Sequence, residues 1–134
     1  MLKPLIAVAL LISVSTAAIA DDLTPEPTQP PERVFTEAQY QKYDQKLEKL
    51  FEGIDNHWYS SHSDYIRRVS GKWVCEALDK HKPIGNLYKK TNDADYDQFN
   101  QKVIAASVDT LCTEYRSDYY EYQKKLTHTS SVKK

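Results

Sequence analysis

Hydrophobic positions along the chain recur mostly at helical spacing. The first such segment begins at Thr36, which can cap a helix while Gln39 completes a capping box and Phe35 packs on Tyr40. Gly53 is placed to end this helix. Its apolar side chains return every three or four residues: Tyr40, Tyr43, Leu47, Leu50, Phe51 and Ile54. The pattern predicts an amphipathic helix with one face to bury.

A second helix is predicted to begin at Ser61 or Ser63 and to run to about Lys82, with Pro83 beyond its end. Residues 54–62, which precede it, show no periodicity and are predicted to form a loop. A broad arc of the second helix is apolar: Ile66, Val69, Trp73, Val74, Ala77 and Leu78. So wide an apolar arc is typical of a central helix.

The second half of the chain also follows a helical pattern. Residues 84–88 predict one or two short helical turns, and residues 91–93 open the longest helix. One face of that helix is apolar: Tyr96, Phe99, Val103, Ser107, Val108, Leu111 and Tyr115. The helix either continues to Leu126 or breaks near Ser117. Since no segment alternates with a period of two, we expect an all-α bundle of about four helices.

The N-terminal residues 1–20 contain the three parts of a cleavable signal peptide. Lys3 supplies a positive charge, residues 5–14 form an unbroken apolar run, and residues 18–20 are a small-x-small cleavage pattern. The apolar run is about ten residues long, whereas a membrane-spanning helix needs about twenty. We therefore expect cleavage before Asp21, export to the periplasm or the medium, and no membrane span in the mature protein.

Residues 21–35 are predicted to be a flexible, proline-rich spacer. Four prolines and few apolar side chains leave this segment without a core to bury, so it serves as a tether or a peptide ligand. The helical disulfide domain is then assigned to residues 36–126. Residues 127–134 are predicted to be a disordered tail.

The charge of the mature protein is nearly balanced. The whole chain holds 18 Lys and Arg against 19 Asp and Glu, and the signal peptide removes only Lys3, which leaves a net charge of about −2. A nucleic-acid-binding protein usually carries a strongly basic face that neutralises phosphates. The charge balance therefore argues against a nucleic-acid partner.

The two cysteines, Cys75 and Cys112, both lie in the mature part of the chain. Export brings them to an oxidising compartment, so we expect a Cys75–Cys112 disulfide. A cross-link that closes a loop of this size stabilises the fold by about 4 kcal/mol in the chain-entropy model. The alternatives are a redox pair or a metal pair, but the chain lacks a C-x-x-C motif and a histidine at ligand spacing.

An acidic motif, Asp93-x-Asp95-x-Asp97, resembles the opening of a calcium-binding loop. The sixth position of such a loop needs glycine and is Gln98 here, and the twelfth needs glutamate and is Ile104. Acidic residues in the first turn of a helix are also explained by the helix dipole. We therefore expect no calcium site.

Catalytic patterns are absent from the sequence. The four histidines, His57, His62, His81 and His128, are scattered and form no i, i+4 metal pair on a predicted helix. There is no G-x-S-x-G motif, and both cysteines are expected to be oxidised. We expect a protein that is not an enzyme and binds no metal or cofactor.

Tyrosine is unusually frequent, with ten residues in the chain. Tyrosine and tryptophan offer large contact areas with few rotatable bonds, so they are enriched in protein-binding surfaces. The candidate binding residues are Trp58 and Tyr59 in the predicted loop and the cluster Tyr119, Tyr120 and Tyr122. The helical pattern leaves Trp58, Tyr59 and Tyr120 without a place in the core.

Two segments resemble the HdeA-like periplasmic acid-stress chaperones: residues 73–78 (WVCEAL) and residues 108–114 (VDTLCTE), followed by a Lys-containing C-terminal helix. A similar cysteine layout is found in a family of secreted actinobacterial helical proteins of unknown function. This chain differs from the chaperones by a shorter segment between the cysteines and by the additional helix over residues 36–52. The resemblance implies a homodimer that loosens in acid and exposes apolar surface to unfolding clients.

Two functions are compatible with these observations. The first is an exported protein-binding protein, acting as a chaperone-like stress factor through apolar surface between the first, second and fourth helices. In acid, protonated carboxylates leave a charge of about +21 on the mature chain, which favours opening. The alternative is an inhibitor or immunity protein that blocks one envelope enzyme or toxin with Trp58, Tyr59 and the Tyr119–Tyr122 cluster.

Overall fold

The computed structural model describes residues 32–132 of the chain, with side chains as far as residue 128. These residues form five α-helices and two 3₁₀ turns: α1 Glu37–Leu50, α2 His57–Ser61, α3 Asp64–Asp79, Ile84–Leu87 (3₁₀), α4 Ala94–Thr110, Thr113–Tyr115 (3₁₀) and α5 Arg116–Val132. No strand occurs among them, so the predicted all-α fold is confirmed. The predicted signal peptide, residues 1–20, and the spacer as far as residue 31 lie outside the described residues.

The start of α1 follows the sequence pattern closely. The Thr36 hydroxyl accepts a hydrogen bond from the Gln39 N–H at 3.2 Å, and the Gln39 side chain accepts one from the Thr36 N–H at 2.9 Å. The rings of Phe35 and Tyr40 pack edge to face, with centroids 5.6 Å apart. After the helix, Gly53 adopts a φ of 75°, the left-handed conformation that glycine takes most readily.

The sequence pattern predicts a loop over residues 54–62, but residues 57–61 form the helix α2, so the prediction is wrong there. Asn56 caps this short helix by accepting a hydrogen bond from the Tyr59 N–H at 2.9 Å. The same side chain is buried and donates to the Asp95 carbonyl oxygen at 2.9 Å and to the Gln98 side chain at 2.8 Å. A five-residue helix is too short to show a 3.6-residue period, and contacts from α4 hold it in place.

The helix α3 begins at the second of the two predicted positions. Ser63 is its N-cap, and the helix ends at Asp79, three residues before the predicted limit. The chain then leaves the helix through a Schellman motif, in which His81 adopts a φ of 62°. The N–H groups of His81 and Lys82 donate to carbonyl oxygens of the last turn at 3.0 and 3.3 Å.

The central helix is α4, because it packs against both α1 and α3 and also contacts α2 and α5. The apolar arc of the second predicted helix favoured α3 for this position. The long helix predicted to continue to Leu126 or to break near Ser117 instead ends at Thr110. The break falls at Cys112, and a short 3₁₀ turn leads into α5.

The helix α5 extends to Val132, through residues for which the sequence pattern predicts a disordered tail. The Thr127 hydroxyl donates to the Gln123 carbonyl oxygen one turn earlier, at 3.0 Å, as threonine commonly does inside a helix. Residues 133–134 lie outside the described part of the chain. Within residues 32–132, no helix has the length and apolar content needed to cross a bilayer.

The predicted Cys75–Cys112 disulfide is confirmed. The two Cα atoms are 5.8 Å apart, and both side chains are fully buried. The cross-link joins the last turns of α3 to the residue that follows the C-cap of α4. Around it lies one core: Tyr43, Leu47, Phe51, Val74, Ala77, Leu78, Ile84, Leu87, Phe99, Val103, Ile104, Ala106, Val108 and Leu111.

An N-terminal arm, residues 32–36, runs over one edge of this core. The Arg33 guanidinium forms two hydrogen bonds with Asp79, at 2.6 and 2.7 Å, and also pairs with Glu114. Glu32 pairs with Lys72 of α3. The sequence pattern places residues 32–35 in a flexible spacer, but these ion pairs hold the arm against the domain.

The helices α1 and α3 approach each other closely at Gly71, where a Cβ atom would lie 2.6 Å from the fully buried Tyr43 ring. We expect Gly71→Ala to lower the free energy of unfolding by about 1 to 2 kcal/mol, because the clash exceeds the helix-propensity gain of about 1 kcal/mol. Urea unfolding measures this, with Gln45→Ala on the exposed face of α1 as the control. A more stable Gly71→Ala protein would contradict the close approach.

Candidate protein-binding surface

An apolar groove lies between α3 and α4, and we call it the α3–α4 groove. Its volume is about 360 Å³. The helix α3 contributes Ile66, Val69, Ser70, Trp73 and Val74 to its lining, and α4 contributes Tyr96, Phe99, Asn100 and Val103. Trp58 of α2 and His62, the C-cap of α2, complete it.

Three apolar side chains on the α3 wall are exposed. Ile66, Val69 and Trp73 retain 40%, 45% and 51% of their accessible surface. Their spacing of three and four residues places them in one line along the helix. Burying a large apolar side chain completely stabilises a protein by about 1.5 to 3 kcal/mol. A clustered line of such side chains, left open on a folded domain, is a mark of an interaction site.

These side chains are open because α1 covers only the other part of the apolar arc. The Tyr43 ring of α1 lies over Gly71, and its hydroxyl donates to the Arg67 carbonyl oxygen at 2.7 Å. The apolar arc of the second predicted helix contains Ile66, Val69 and Trp73 together with Val74, Ala77 and Leu78. The width of the apolar arc was the sequence signal for this exposed line, because one neighbouring helix covers only part of so wide an arc.

One end of the groove is anionic. The Trp58 indole N–H donates to the Asp93 carboxylate at 2.7 Å, while its ring stacks on His62 and meets Tyr96 edge to face. Asp93 also caps α4 by accepting from the Tyr96 N–H. The hydrogen bond from Trp58, with those from the backbone, holds the pKa of Asp93 below its usual value. The carboxylate therefore stays ionised at neutral pH.

The other end of the groove is cationic. The Lys82 ammonium lies 5.8 Å from the centroid of the Trp73 ring, within range of a cation–π contact. Lys82 directly follows His81, whose left-handed conformation turns the chain at the end of α3. The groove thus runs from a carboxylate at Trp58 to an ammonium group at Trp73.

Polar side chains that line the groove already have partners within the chain. Ser70 donates to a carbonyl oxygen of its own helix at 3.0 Å, and Asn100 donates to the Leu87 carbonyl oxygen at 2.8 Å. The His62 Nδ1 lies 2.6 Å from the Trp58 carbonyl oxygen. Because these donors are engaged, the surface offered to a partner is chiefly apolar.

Of the candidate binding residues from the sequence, Trp58 belongs to the groove and Tyr59 does not. The Tyr59 ring stacks on Phe51 with centroids 4.4 Å apart, and the Arg67 guanidinium lies 4.5 Å from its centroid. Burial raises the pKa of Tyr59 above its usual value. Tyr59 therefore serves the packing of α2 on the core.

The tyrosine cluster of α5 forms a separate surface. Tyr122 stacks on Tyr88 at 5.0 Å, Tyr119 contacts Tyr120 edge to face at 5.3 Å, and Tyr120 is 52% exposed. No ring contact among the described residues joins this cluster to Trp58. The structure therefore divides the five candidate residues between the groove, the core edge and the α5 surface.

The acidic motif at the start of α4 is used for hydrogen bonds within the domain. Besides the contacts of Asp93, Asp95 accepts from the His57 N–H at 3.2 Å, and Asp97 accepts from the Thr91 hydroxyl at 2.8 Å. Within residues 32–132, no group of three or more His, Cys, Asp or Glu side chains is arranged to hold a metal ion. These carboxylates organise the segment that precedes α4.

Comparison of the chain with protein-family models, with curated proteins and with solved structures gives no match. The resemblance of residues 73–78 and 108–114 to HdeA-like chaperones therefore stays a prediction. In the structure these two segments contain the disulfide partners, and the first also contributes Trp73 to the groove.

A charged cluster fastens the N-terminal arm beside the disulfide. Asp79 accepts hydrogen bonds from Arg33 and, at 2.6 Å, from the Tyr115 hydroxyl. The Arg33 guanidinium holds the pKa of Asp79 below its usual value, with help from Tyr115. A carboxyl group with a lowered pKa stabilises the fold at neutral pH, and that contribution disappears as the pH falls through the lowered pKa.

We expect Asp79→Asn to lower the free energy of unfolding at neutral pH by about 1 to 3 kcal/mol, as for other hydrogen bonds to charged groups. The difference from wild type should shrink as the pH falls below the usual range of aspartate, since wild-type Asp79 then becomes neutral as well. Urea unfolding across this pH range measures the effect, with the exposed Glu121→Gln as control. A difference that stays constant with pH would exclude the ionised pair as its source.

Proposed function

We propose that this protein is an exported protein-binding protein, which acts as a chaperone-like stress factor of the cell envelope by holding apolar segments of other proteins in the α3–α4 groove. The observation that carries the proposal is the exposed line of Ile66, Val69 and Trp73 on a folded, disulfide-linked domain. Export rests on the signal-peptide pattern of residues 1–20.

The chemistry of the groove suits a partner with exposed apolar side chains. Removing apolar surface from water yields roughly 25 cal/mol per Å², and this attraction has no preferred direction. Since the polar groups of the groove are engaged internally, binding depends on buried area more than on specific hydrogen bonds. A surface of this kind accepts many unfolded clients.

An acid response is supported by the attachments of the N-terminal arm. Lys72 holds the pKa of Glu32 below its usual value, as Arg33 does for Asp79. Protonation in acid removes both negative charges, so the arm loosens and uncovers surface around Phe35 and Leu111. The disulfide keeps α3 and α4 together meanwhile. Because this surface adds to that of the groove, we expect client binding to be stronger in acid.

A second candidate function is favoured by the surface of α5. Tyr120 and Leu126 are 52% and 44% exposed, and aromatic side chains often anchor tight complexes. An inhibitor or immunity protein that blocks one envelope enzyme or toxin would use this surface at neutral pH. Its affinity would fall with Tyr120→Ala and stay unchanged with Val69→Lys.

The first proposal is tested by light scattering of an unfolded client diluted from urea, at neutral pH and at about pH 2, where carboxyl groups with lowered pKa values become protonated. We expect the mature protein to suppress aggregation, more strongly in acid. Val69→Lys should weaken apparent binding about tenfold or more, because it loses an apolar contact and buries a charge. Lysine keeps its charge at both pH values.

The matched control is Gln45→Lys, which adds the same charge on the exposed face of α1 and should leave suppression unchanged. If the wild-type protein suppresses aggregation at neither pH, the chaperone proposal is excluded. Suppression that Val69→Lys leaves intact would place client binding outside the groove.

A further inference from the structure

The shape of the α3–α4 groove matches a helical ligand. Both walls are helices that run in the same direction. Trp58 and His62, which shortly precede α3, lie beside the first turn of α4, so the two helices begin close together. The disulfide joins the C-terminal ends of the two helices. Side chains project into the groove at intervals of three and four residues from both walls: Ile66, Val69 and Trp73; Tyr96, Phe99 and Val103. Ridges of a third helix fit between rows with this spacing.

Hydrogen bonding favours a helix over an extended peptide. An extended segment brings backbone N–H and C=O groups that need partners when they are buried. Ser70 and His62 use their hydroxyl and Nδ1 groups within the chain, and Asn100 uses one N–H, so the groove has few donors to offer. A helix satisfies its own backbone groups and presents only side chains. The groove therefore discriminates by secondary structure as well as by apolarity.

Charge at the two ends restricts the ligand further. Lys82 stands beside Trp73, and Asp93 stands beside Trp58 at the opposite end. The exposed line from Ile66 to Trp73 spans eight residues of α3, which corresponds to about two turns of a helix laid alongside it. A complementary ligand carries an acidic side chain at one end of an apolar face and a basic side chain at the other.

We propose that the α3–α4 groove binds an amphipathic helix of a partner protein, with apolar side chains at i, i+3 or i+4, and i+7 in the groove, an acidic group at Lys82 and a basic group at Asp93. This inference rests on the proposed function and specifies its partner class. The apolar face supplies the affinity, and the two charges set the direction of the helix in the groove.

The test uses isothermal titration calorimetry with the complete mature chain and alanine-rich peptides of about 15 residues, long enough to populate a helix. The probe carries leucines at i, i+4 and i+7, glutamate at one end and lysine at the other, and a second probe has these charges exchanged. The control peptide has the same composition with its leucines distributed around the helix. We expect one probe to bind and the control not to bind.

Two variants locate the bound peptide. Val69→Lys should weaken binding about tenfold or more, and circular dichroism should show an unchanged fold because Val69 is exposed. Lys82→Glu should weaken binding of the preferred probe about two- to fivefold, the range of an exposed ion pair. Replacing the glutamate of the preferred probe with lysine should restore the lost affinity for the Lys82→Glu variant.

Several outcomes would overturn the inference. Equal binding of the probe and the control peptide would show that helical patterning is not recognised. The wild-type protein could sediment as a dimer that Val69→Lys converts to a monomer and that the peptide does not dissociate. In that case the occupant of the groove is a second copy of the chain. If no peptide binds but client suppression still depends on Val69, the helical ligand is wrong and the proposed function stands. If neither peptide binding nor client suppression depends on Val69, the helical ligand and client binding in the groove are both excluded.

Discussion

The disulfide between Cys75 and Cys112 determines the relation of α3 to α4, on which the groove depends. Two neighbouring helices that run in the same direction cannot be joined by a short turn, so the chain returns through residues 80–93 before α4 begins. The disulfide holds the ends of the pair, and Asn56 and Trp58 hold its beginning through contacts with α4 and its N-cap. Both ends of the groove are therefore fixed while its middle stays open.

The two sides of α3 are stabilised by different interactions. On the side of α1, Arg68 pairs with Glu37 at 3.0 Å and with Asp44 at 2.7 Å, and Lys72 pairs with Glu32. On the groove side the helix offers apolar carbon atoms and no such pairs among the described residues. Ionic contacts thus orient α1 and the arm, and they leave the apolar line exposed.

Local features of the fold could be predicted from the sequence, whereas features that depend on neighbours could not. The caps at Thr36, Ser63 and Asp93 are local hydrogen bonds between residues three apart, and the structure contains all three. The helix break falls at Cys112, which pairs with a cysteine 37 residues away. For the groove, a helical wheel identifies apolar side chains on α3, but whether Val69 is covered depends on how much of α3 the helix α1 reaches.

Both tryptophans of the chain, Trp58 and Trp73, line the groove, one at each end. Their surroundings differ, since Trp58 is partly buried against His62 while Trp73 is 51% exposed beside Lys82. The intrinsic tryptophan fluorescence of this protein therefore originates entirely at the groove. A blue shift from Trp73 would report the loss of water there, and a change in quenching of Trp58 would report movement of its stacked imidazole. Any binding in the groove could therefore be followed by the intrinsic fluorescence of the protein, without an added label.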